Sequence, residues 1–483
     1  MEIPPEQQEV AAFLARRTGE GVVRTHISAV FLGREEALKL KKAVDLGFLD
    51  FTRREERARL LRHEFALNAP NAPGLYLGVS AITRAPDGSL ALDGPGEALD
   101  WVLRMRRLPR EAFLDAHGPL EEALLDATAD AVAALHARAP RREGDGGMEA
   151  ILAGNLRAAL SAGLDPDAAR AWHAAAAARH AALGPWLAER AAGGFLRRCH
   201  GDLHLGNLCL LDGAPHAFDA LEFDEALATI DVGYDLAFLL MDLDQRQGRR
   251  AANRVLNRYV ARTGDAALVR GLPLWLSLRA FIRAHVAARK EEDPRPLLAA
   301  ARAYLDPAPA RLLAIGGLQG TGKSRLARAL APGLGPAPGA LVLRSDEIRK
   351  RRAGLAPEQR LPESAYSAEE SAAVFAELAA MARAALQGGH AAIADAAFLR
   401  PEERALIEAA GAPFTGIWLT APLGVLRARI AARRGDASDA TVAVLEQAAR
   451  RETGPISWHV VDAGDDPLPA VRKLLDSEPP PSP

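Results

Sequence analysis

Two stretches of this 483-residue chain place carboxylates, an amide and a lysine at spacings suited to handling the terminal phosphate of a nucleoside triphosphate. The first is His200-Gly201-Asp202-Leu203-His204-Leu205-Gly206-Asn207, followed by Asp219. Phosphoryl transfer to a hydroxyl needs a carboxylate that orients or deprotonates the acceptor, oxygen ligands for Mg2+ and a cation on the α/β-phosphates. Asp202 and Asn207 lie five residues apart on one short loop, and Asp219, after a predicted hairpin over 208–218, supplies a second oxygen ligand. Few carboxylates suffice, because magnesium keeps phosphate oxygens and water in its shell. The cation is Lys39 or Lys41, which alternation puts on one face of a predicted strand. Either can pair with Glu64, and the distance from the turn at Gly33 favours Lys39 slightly.

The second stretch, Gly317-Leu318-Gln319-Gly320-Thr321-Gly322-Lys323-Ser324, has the pattern G-x-x-x-x-G-K-[ST]. Gly317, Gly320 and Gly322 permit a tight loop whose backbone N–H groups face phosphates, with Thr321 among the nucleotide-contacting residues. Lys323 supplies the cation for the β/γ-phosphates and Ser324 a hydroxyl for Mg2+. The helix starting there adds its positive end. After the next predicted strand, Asp346 is placed to accept a proton from an acceptor hydroxyl and Arg349, one turn later, to hold an anionic group of the acceptor. Asp395 ends another apolar strand as an acceptor-binding or metal-side carboxylate. Arg429 and Arg433 share a helix face and are expected to close over the triphosphate.

These residues require two kinds of scaffold. Residues 22–42 read as two strands and a turn, 53–69 as a helix, and Ile82 to Leu92 and Trp101 to Leu108 as further strands around the turn Asp87-Gly88. From 110 to 192 and from 234 to 304 the pattern is helical. The segment 305–310, Leu-Asp-Pro-Ala-Pro-Ala, is the linker candidate. Beyond it, short apolar strands at 312–315, 340–343, 391–394, 415–419 and 459–461 alternate with helices, which implies a parallel sheet. The expected domains are therefore 1–307 and 308–475, with a disordered tail at 476–483.

The length exceeds one ordinary core, and a formal charge of -2 argues against wholesale nucleic-acid coating. The basic run Arg349 to Arg352 reads as a solvated helix face, without aromatic neighbours for base stacking. Two cysteines, Cys199 and Cys209, fit a reduced cytoplasmic setting better than a disulfide framework. With His200 and His204 between them zinc is an alternative, although the spacing matches no usual zinc pattern. Neither a leader peptide nor a membrane span is expected.

The segments HGDLHLGN (200–207), FDALEF (218–223), IDVGYDLA (230–237) and VAALHARAP (132–140) resemble the aminoglycoside phosphotransferase family, whose fold is protein-kinase-like. That resemblance implies an α+β N-terminal domain with a β-rich small lobe and a helical lobe. It makes Asp202 the catalytic base, Asn207 and Asp219 the magnesium ligands, Asp235 a structural residue, and His200 a brace of the loop. Arg24 to Ser28 lacks the glycines of a protein-kinase phosphate-covering loop. The segments GGLQGTGKS, LRSDEIRKR, IADAAFLRPEER and RARIAARRGDASDA resemble P-loop kinases grouped with polynucleotide 5′-hydroxyl kinases, zeta toxins and gluconate kinases. That implies an α/β domain with Asp346 as general base and Arg349 on the acceptor. The order of the halves resembles a bacterial family of bifunctional fusions.

Three readings follow. One is a tandem ATP- or GTP-dependent, Mg2+-dependent kinase with a small-molecule hydroxyl acceptor at each site. Another keeps one domain active and the other as a nucleotide sensor. The third is a P-loop kinase acting on a nucleic-acid 5′-hydroxyl or nucleotide sugar, with the N-terminal domain a pseudokinase-like binding module; nucleic acid is the less favoured partner. Aminoglycoside phosphorylation would require an acidic acceptor pocket that no segment marks out.

Overall fold

The computed structural model describes residues 2–45, 50–306, 308–432 and 438–477. Two compact units emerge, residues 1–119, 134–147 and 188–235, and residues 120–133, 148–187 and 236–483. Pro307, Arg433 and the tail from 478 lie outside the described residues.

The first unit is built on a six-stranded antiparallel sheet of order β1-β2-β3-β6-β4-β5. Its strands are β1 (Val22–Arg24), β2 (Ser28–Leu32), β3 (Glu36–Lys41), β4 (Tyr76–Arg84), β5 (Leu90–Leu92) and β6 (Glu97–Arg106). Helix α1 (Gln8–Thr18) packs Val10, Ala11 and Leu14 on Ala29, Phe31, Leu38 and Leu40. Helix α2 (Arg54–Asn68) carries Glu64. The expected single strand over 22–33 is instead two, because Thr25 breaks it: its N–H and hydroxyl both donate to Ser28 O, which turns the chain between β1 and β2. Also in this unit are β7 (Leu196–Arg198), β8 (Leu208–Leu211), β9 (Ala214–Ala217) and β10 (Thr229–Asp231).

Chain order next brings helices α3 (Glu122–Arg138), α4 (Met148–Ser161), α5 (Pro166–Ala192), α6 (Glu225–Ala228), α7 (Val232–Gln247), α8 (Arg249–Thr263), α9 (Leu272–Arg289) and α10 (Arg295–Ala303). In the second unit, Trp172 of α5 stacks on Phe281 of α9 and donates its indole N–H to Ser277 at 2.9 Å. Four-residue spacing lines up Glu122, Asp126 and Asp130 on α3, and Arg250, Arg254, Arg258 and Arg262 on α8. The two rows interlock, with Arg250–Glu122 at 2.8 Å, Arg254–Asp126 at 2.7 Å and Arg258–Asp130 at 2.7 Å.

The same unit contains a five-stranded parallel sheet of order β12-β13-β11-β14-β15. The strands are β11 (Leu312–Gly317), β12 (Leu341–Arg344), β13 (Ala392–Asp395), β14 (Phe414–Thr420) and β15 (His459–Asp462). All five match the apolar runs legible in sequence. Helices α11 (Lys323–Leu330), α12 (Ser345–Arg352), α13 (Ala368–Gln387), α14 (Pro401–Glu408), α15 (Leu423–Ala431), α16 (Val442–Ala449) and α17 (Leu468–Ser477) complete the fold. Leu313, Ile315, Ile393, Ile417 and Leu419 form the core beneath α11. Strand β12 is an edge strand, and an exposed edge invites unwanted pairing. Helix α8 covers it: Asn253 and Asn257 donate to Ala340 O at 3.0 and 3.2 Å, and Val342 N donates to Asn257 Oδ1 at 2.6 Å.

Candidate active sites

In the first unit the hairpin β8–β9 decides where Asp219 falls. Its register pairs Leu208 with Ala217, and Phe218 N then donates to Asn207 O at 3.0 Å. Asp219 therefore emerges beside the loop that carries Asp202 and Asn207. The Asn207 amide nitrogen donates to Asp202 O and Asp202 Oδ2, both at 2.9 Å, which leaves its Oδ1 as an oxygen ligand. Asp202 and Asp219 keep 45% and 41% of their side chains exposed. Buried Asp235 accepts from the N–H groups of His200 and Gly201 at 3.0 and 2.9 Å and also meets the His136 ring. The His200 ring reaches Phe218 O at 2.9 Å, so it braces the loop as its resemblance implies. His204 caps the short turn after it by accepting from Gly206 N.

Lys39 and Lys41 do share a face of β3, and both reach Glu64, yet their surroundings differ. Lys39 contacts Glu64 at 2.7 Å and Asp219 at 2.5 Å and is 12% exposed; Lys41 is sealed between Glu64, at 2.9 Å, and Glu222. Lys39 is therefore the lysine on the open side of the cluster, beside Asp219. Burial opposes the charge on both lysines, but the surrounding carboxylates outweigh it and raise both above the ordinary lysine value. Burial likewise works against Glu64, and the two lysines override it, holding the carboxyl down at about 2. Glu222 goes the other way: burial and the neighbouring Glu64 raise it despite Lys41. It is buried and ion-paired with Lys41. With three carboxylates against two ammonium groups, the cluster is electron-rich toward its open side, where Asn207 Oδ1 and Asp219 offer the hard oxygens that Mg2+ takes.

The cysteine–histidine alternative does not assemble. Cys199 donates to Ile230 O and burial holds its thiol far above the usual value, while Cys209 sits in β8, its thiol pushed up by burial to about 12. Among the described residues the one group with metal-ligand spacing is His136, Cys199 and Asp235, whose carboxylate already holds the catalytic loop.

In the second unit β11 feeds the glycine loop. Gly317 has φ +132°, and a Cβ there would lie 2.4 Å from Leu419 O; at Gly320, φ +87°, it would lie 2.9 Å from Leu426 O. The loop is thus a close cradle that only glycine permits at these two positions. Lys323 Nζ donates to Gly317 O and Leu318 O at 2.9 and 3.0 Å, holding its ammonium over the loop. The Thr321 hydroxyl donates to Leu318 O, and Gly322 and Ser324 flank Lys323 at the start of α11. Across the sheet, register sets Asp395 beside Ile315 and Arg344. Arg344 bridges Asp395 at 3.2 Å and Glu347 at 3.0 Å. Asp346 lies in the first turn of α12; burial raises its carboxyl, Asp395 adds to this, and Arg344 and Lys323 oppose it. Backbone cradle, ammonium and hydroxyl fit a nucleoside triphosphate with its cation.

Several arginines are placed otherwise than expected. Arg349 is buried, donates to Ala365 O at 2.7 Å and lies 5.0 Å from the ring centre of Tyr366, an aromatic neighbour further along the chain that the local sequence did not signal. Lys350 is buried against Pro357 O and Asp439, Arg351 holds Ala261 O and Glu377, and Arg352 pairs with Glu370. Arg349 to Arg351 are therefore structural braces rather than a solvated face, held by carboxylates or carbonyls from α8, α13 or the following loop, while Arg352 is exposed and pairs with Glu370 at the surface. Arg429 donates to Ala463 O and Gly464 O at 2.7 and 2.8 Å, fastening the end of β15 to α15 in place of standing over a triphosphate.

Residues 82–272 match the Phosphotransferase enzyme family and residues 312–455 match an AAA domain. Uncharacterised proteins of Mycobacterium tuberculosis and Mycobacterium bovis are 30% identical over 480 residues, covering 91% of this chain and 92% of theirs. Among solved structures, choline kinase from Cryptosporidium parvum is 11% identical, covers 62% of this chain and 94% of its own, and has a TM-score of 0.40. A sugar kinase from a Janibacter species is 19% identical, covers 35% of this chain and 94% of its own, and has a TM-score of 0.29. No described helix is long and apolar enough to cross a membrane.

Proposed function

From the premise that this chain, in which a phosphotransferase-family region precedes a P-loop kinase-like one, belongs to the family of these mycobacterial proteins, we propose that it is a tandem ATP- or GTP-dependent phosphotransferase. Each domain, within 1–307 and 308–475, transfers a γ-phosphate to the hydroxyl of a small molecule such as a sugar or metabolite. The observation that carries this reading is that each compact unit brings a carboxylate and a lysine together at its candidate phosphate loop, Asp202 and Asp219 with Lys39 in one and Asp346 with Lys323 in the other.

In the N-terminal site Asp202 accepts the acceptor's proton, with Oδ2 oriented by Asn207. Lys39, steadied by Glu64, grips the α/β-phosphates. Asn207 and Asp219 would hold Mg2+, which neutralises charge on the transferring group. In the P-loop site the backbone N–H groups of 317–322 and Lys323 cradle the phosphates, and Ser324 is the metal-side hydroxyl. Asp346, whose carboxyl burial raises above its ordinary value, takes the acceptor's proton, and Asp395 holds Arg344 beside it. Arg349 shapes the acceptor pocket together with Tyr366. Arg429 has no part in this scheme. The consumption of Arg349 to Arg352 in internal pairs counts against a polynucleotide acceptor.

The test uses the full chain, labelled ATP and GTP, and a panel of hydroxyl metabolites, aminoglycosides and 5′-hydroxyl oligonucleotides. Asp202→Ala should abolish transfer to one acceptor class and Lys323→Ala transfer to another. Loss of all transfer in either single variant would end the two-site reading, and labelling of oligonucleotide 5′-ends would replace the small-molecule acceptor.

A further inference from the structure

The backbone of the segment 218–221 follows neither a strand nor a helix, yet each of its four amides has an acceptor. Phe218 N donates to Asn207 O at 3.0 Å and Leu221 N to His200 O at 2.9 Å, both within the catalytic loop. The two amides between them are held from elsewhere. Asp219 N donates to the Tyr76 hydroxyl and Ala220 N to Asn68 Oδ1, each at 2.9 Å. Asp219 has φ +60°, the left-handed region that a non-glycine residue enters at a cost. A turned backbone of this kind cannot reach a regular main-chain partner, so side chains must supply the acceptors. Both suppliers are buried: Tyr76 on β4 is 6% exposed and Asn68, the last residue of α2, is 0% exposed.

Asn68 is itself fixed, since its Nδ2 donates to Glu64 O at 2.9 Å, one turn back on α2. The helix that aims Glu64 at Lys39 therefore also fixes the backbone of the residue after Asp219. The Glu64–Lys41–Glu222 bridge ties the far side of the same segment to β3. Lys39, Glu64 and Asp219 are thus aligned by one set of buried bonds.

We infer that Asn68 and Tyr76 are positioning residues that hold Asp219 in its left-handed conformation and so set its carboxylate for the Mg2+ of a bound nucleotide. This rests on the phosphotransfer reading of the N-terminal site. Neither side chain touches nucleotide or metal; both act through the amides of 219 and 220. The consequence is a division of labour: loss of either bond weakens the response to Mg2+ while the grip of Lys39 on the phosphates persists.

The experiment uses the full chain carrying Lys323→Ala, which removes the lysine of the second site. Binding of a fluorescent ATP analogue is titrated against MgCl2 in this parent, in Tyr76→Phe, in Asn68→Leu and in Asp219→Ala. Hydrogen exchange at the amides of 219 and 220 is followed in parallel. Tyr76→Phe and Asn68→Leu should each raise the Mg2+ midpoint about fivefold, with analogue affinity in EDTA changed less than about twofold. Exchange should accelerate at 219 in the first and at 220 in the second, while β4 and β6 exchange as in the parent. A parent that responds to Mg2+ through Asp219, with both variants matching it, would overturn the assignment of Asn68 and Tyr76. A parent that binds no analogue, or whose binding ignores both Mg2+ and Asp219→Ala, would overturn the phosphotransfer reading and the purpose assigned to these bonds with it.

Discussion

Lys39 and Lys41 look interchangeable on the strand, and the structure gives them opposite duties that a pair of substitutions separates. Lys41→Met removes an ammonium with 0% exposure from between Glu64, also 0% exposed, and Glu222 at 5%. Taking one partner from a buried ion pair typically costs about 3–5 kcal/mol, since the remaining charge stays desolvated. The lower end, about 3 kcal/mol, is expected here, because Glu222 is already displaced upward by burial and takes up a proton readily. Lys39→Met leaves Asp219, 41% exposed, free to turn toward water, so its cost to folding is about 1 kcal/mol. Hydrogen exchange of peptides from β2, β3 and β6 measures local opening. Lys41→Met should speed it roughly hundredfold and Lys39→Met less than about tenfold. Nucleotide binding at this site should reverse the order, falling at least tenfold in Lys39→Met when compared at conditions where both variants remain folded. Equal opening in the two variants, or faster opening in Lys39→Met, would refute the reasoning.

Other perturbations are equally direct. Gly317→Ala should eliminate nucleotide binding at the P-loop and lower the thermal midpoint, as its Cβ would lie 2.4 Å from Leu419 O on the neighbouring strand; an unchanged midpoint by calorimetry would contradict the cradle geometry. Asp130→Asn breaks the α3–α8 ladder at the carboxylate shared by Arg258 and Arg262, and should destabilise the second unit by about 1–2 kcal/mol in low salt. Denaturant unfolding in about 1 M NaCl should narrow that difference through screening.

Both loops were legible because part of their chemistry is local: eight consecutive residues carry Asp202 and Asn207 in one and the glycine cradle, Lys323 and Ser324 in the other, and the flanking apolar runs predict strand and helix. What was hidden depends on partners far along the chain. Asn68 and Tyr76 meet Asp219 and Ala220 across roughly 150 residues, and neither type announces such a role on a helix end or a strand. The four-residue spacing of Glu122, Asp126 and Asp130 and of Arg250 to Arg262 was visible in each helix, but not that the two rows face each other. Arg349 and Arg429 were placed on the right helices, while the carbonyls that engage them, at 365, 463 and 464, are set by loop closure that periodicity does not describe. Distance from the turn at Gly33 favoured Lys39 over Lys41, but the difference in burial that divides their duties is one that a period of two cannot rank when both residues share the face.

Asp346 offers a case in which stability and the proposed chemistry oppose each other. Burial raises its carboxyl, with Asp395 pushing the same way and Arg344 and Lys323 resisting. A carboxyl whose folded value lies above its unfolded value binds its proton more tightly in the fold. Below the unfolded value, about 3.9, both states are protonated and there is no penalty. As pH rises through that value the unfolded chain releases its proton first, stability falls until the folded carboxyl also ionises, and the penalty is constant thereafter. Asp346→Asn removes the ionisable group, so it should stabilise the second unit at neutral pH, with the gain vanishing below about pH 4. The same change removes the proposed proton acceptor and should abolish transfer at the P-loop site while nucleotide binding, carried by the loop and Lys323, persists. In the unaltered chain that transfer should decline on acidification with a midpoint above the ordinary carboxylate range. The decisive comparison is thermal unfolding of Asp346→Asn and the parent at pH 3.5 and 7.5, beside the pH profile of transfer. A variant that is less stable at pH 7.5, or that retains transfer, would show that Asp346 is held as a structural anion and that the proton leaves by another group.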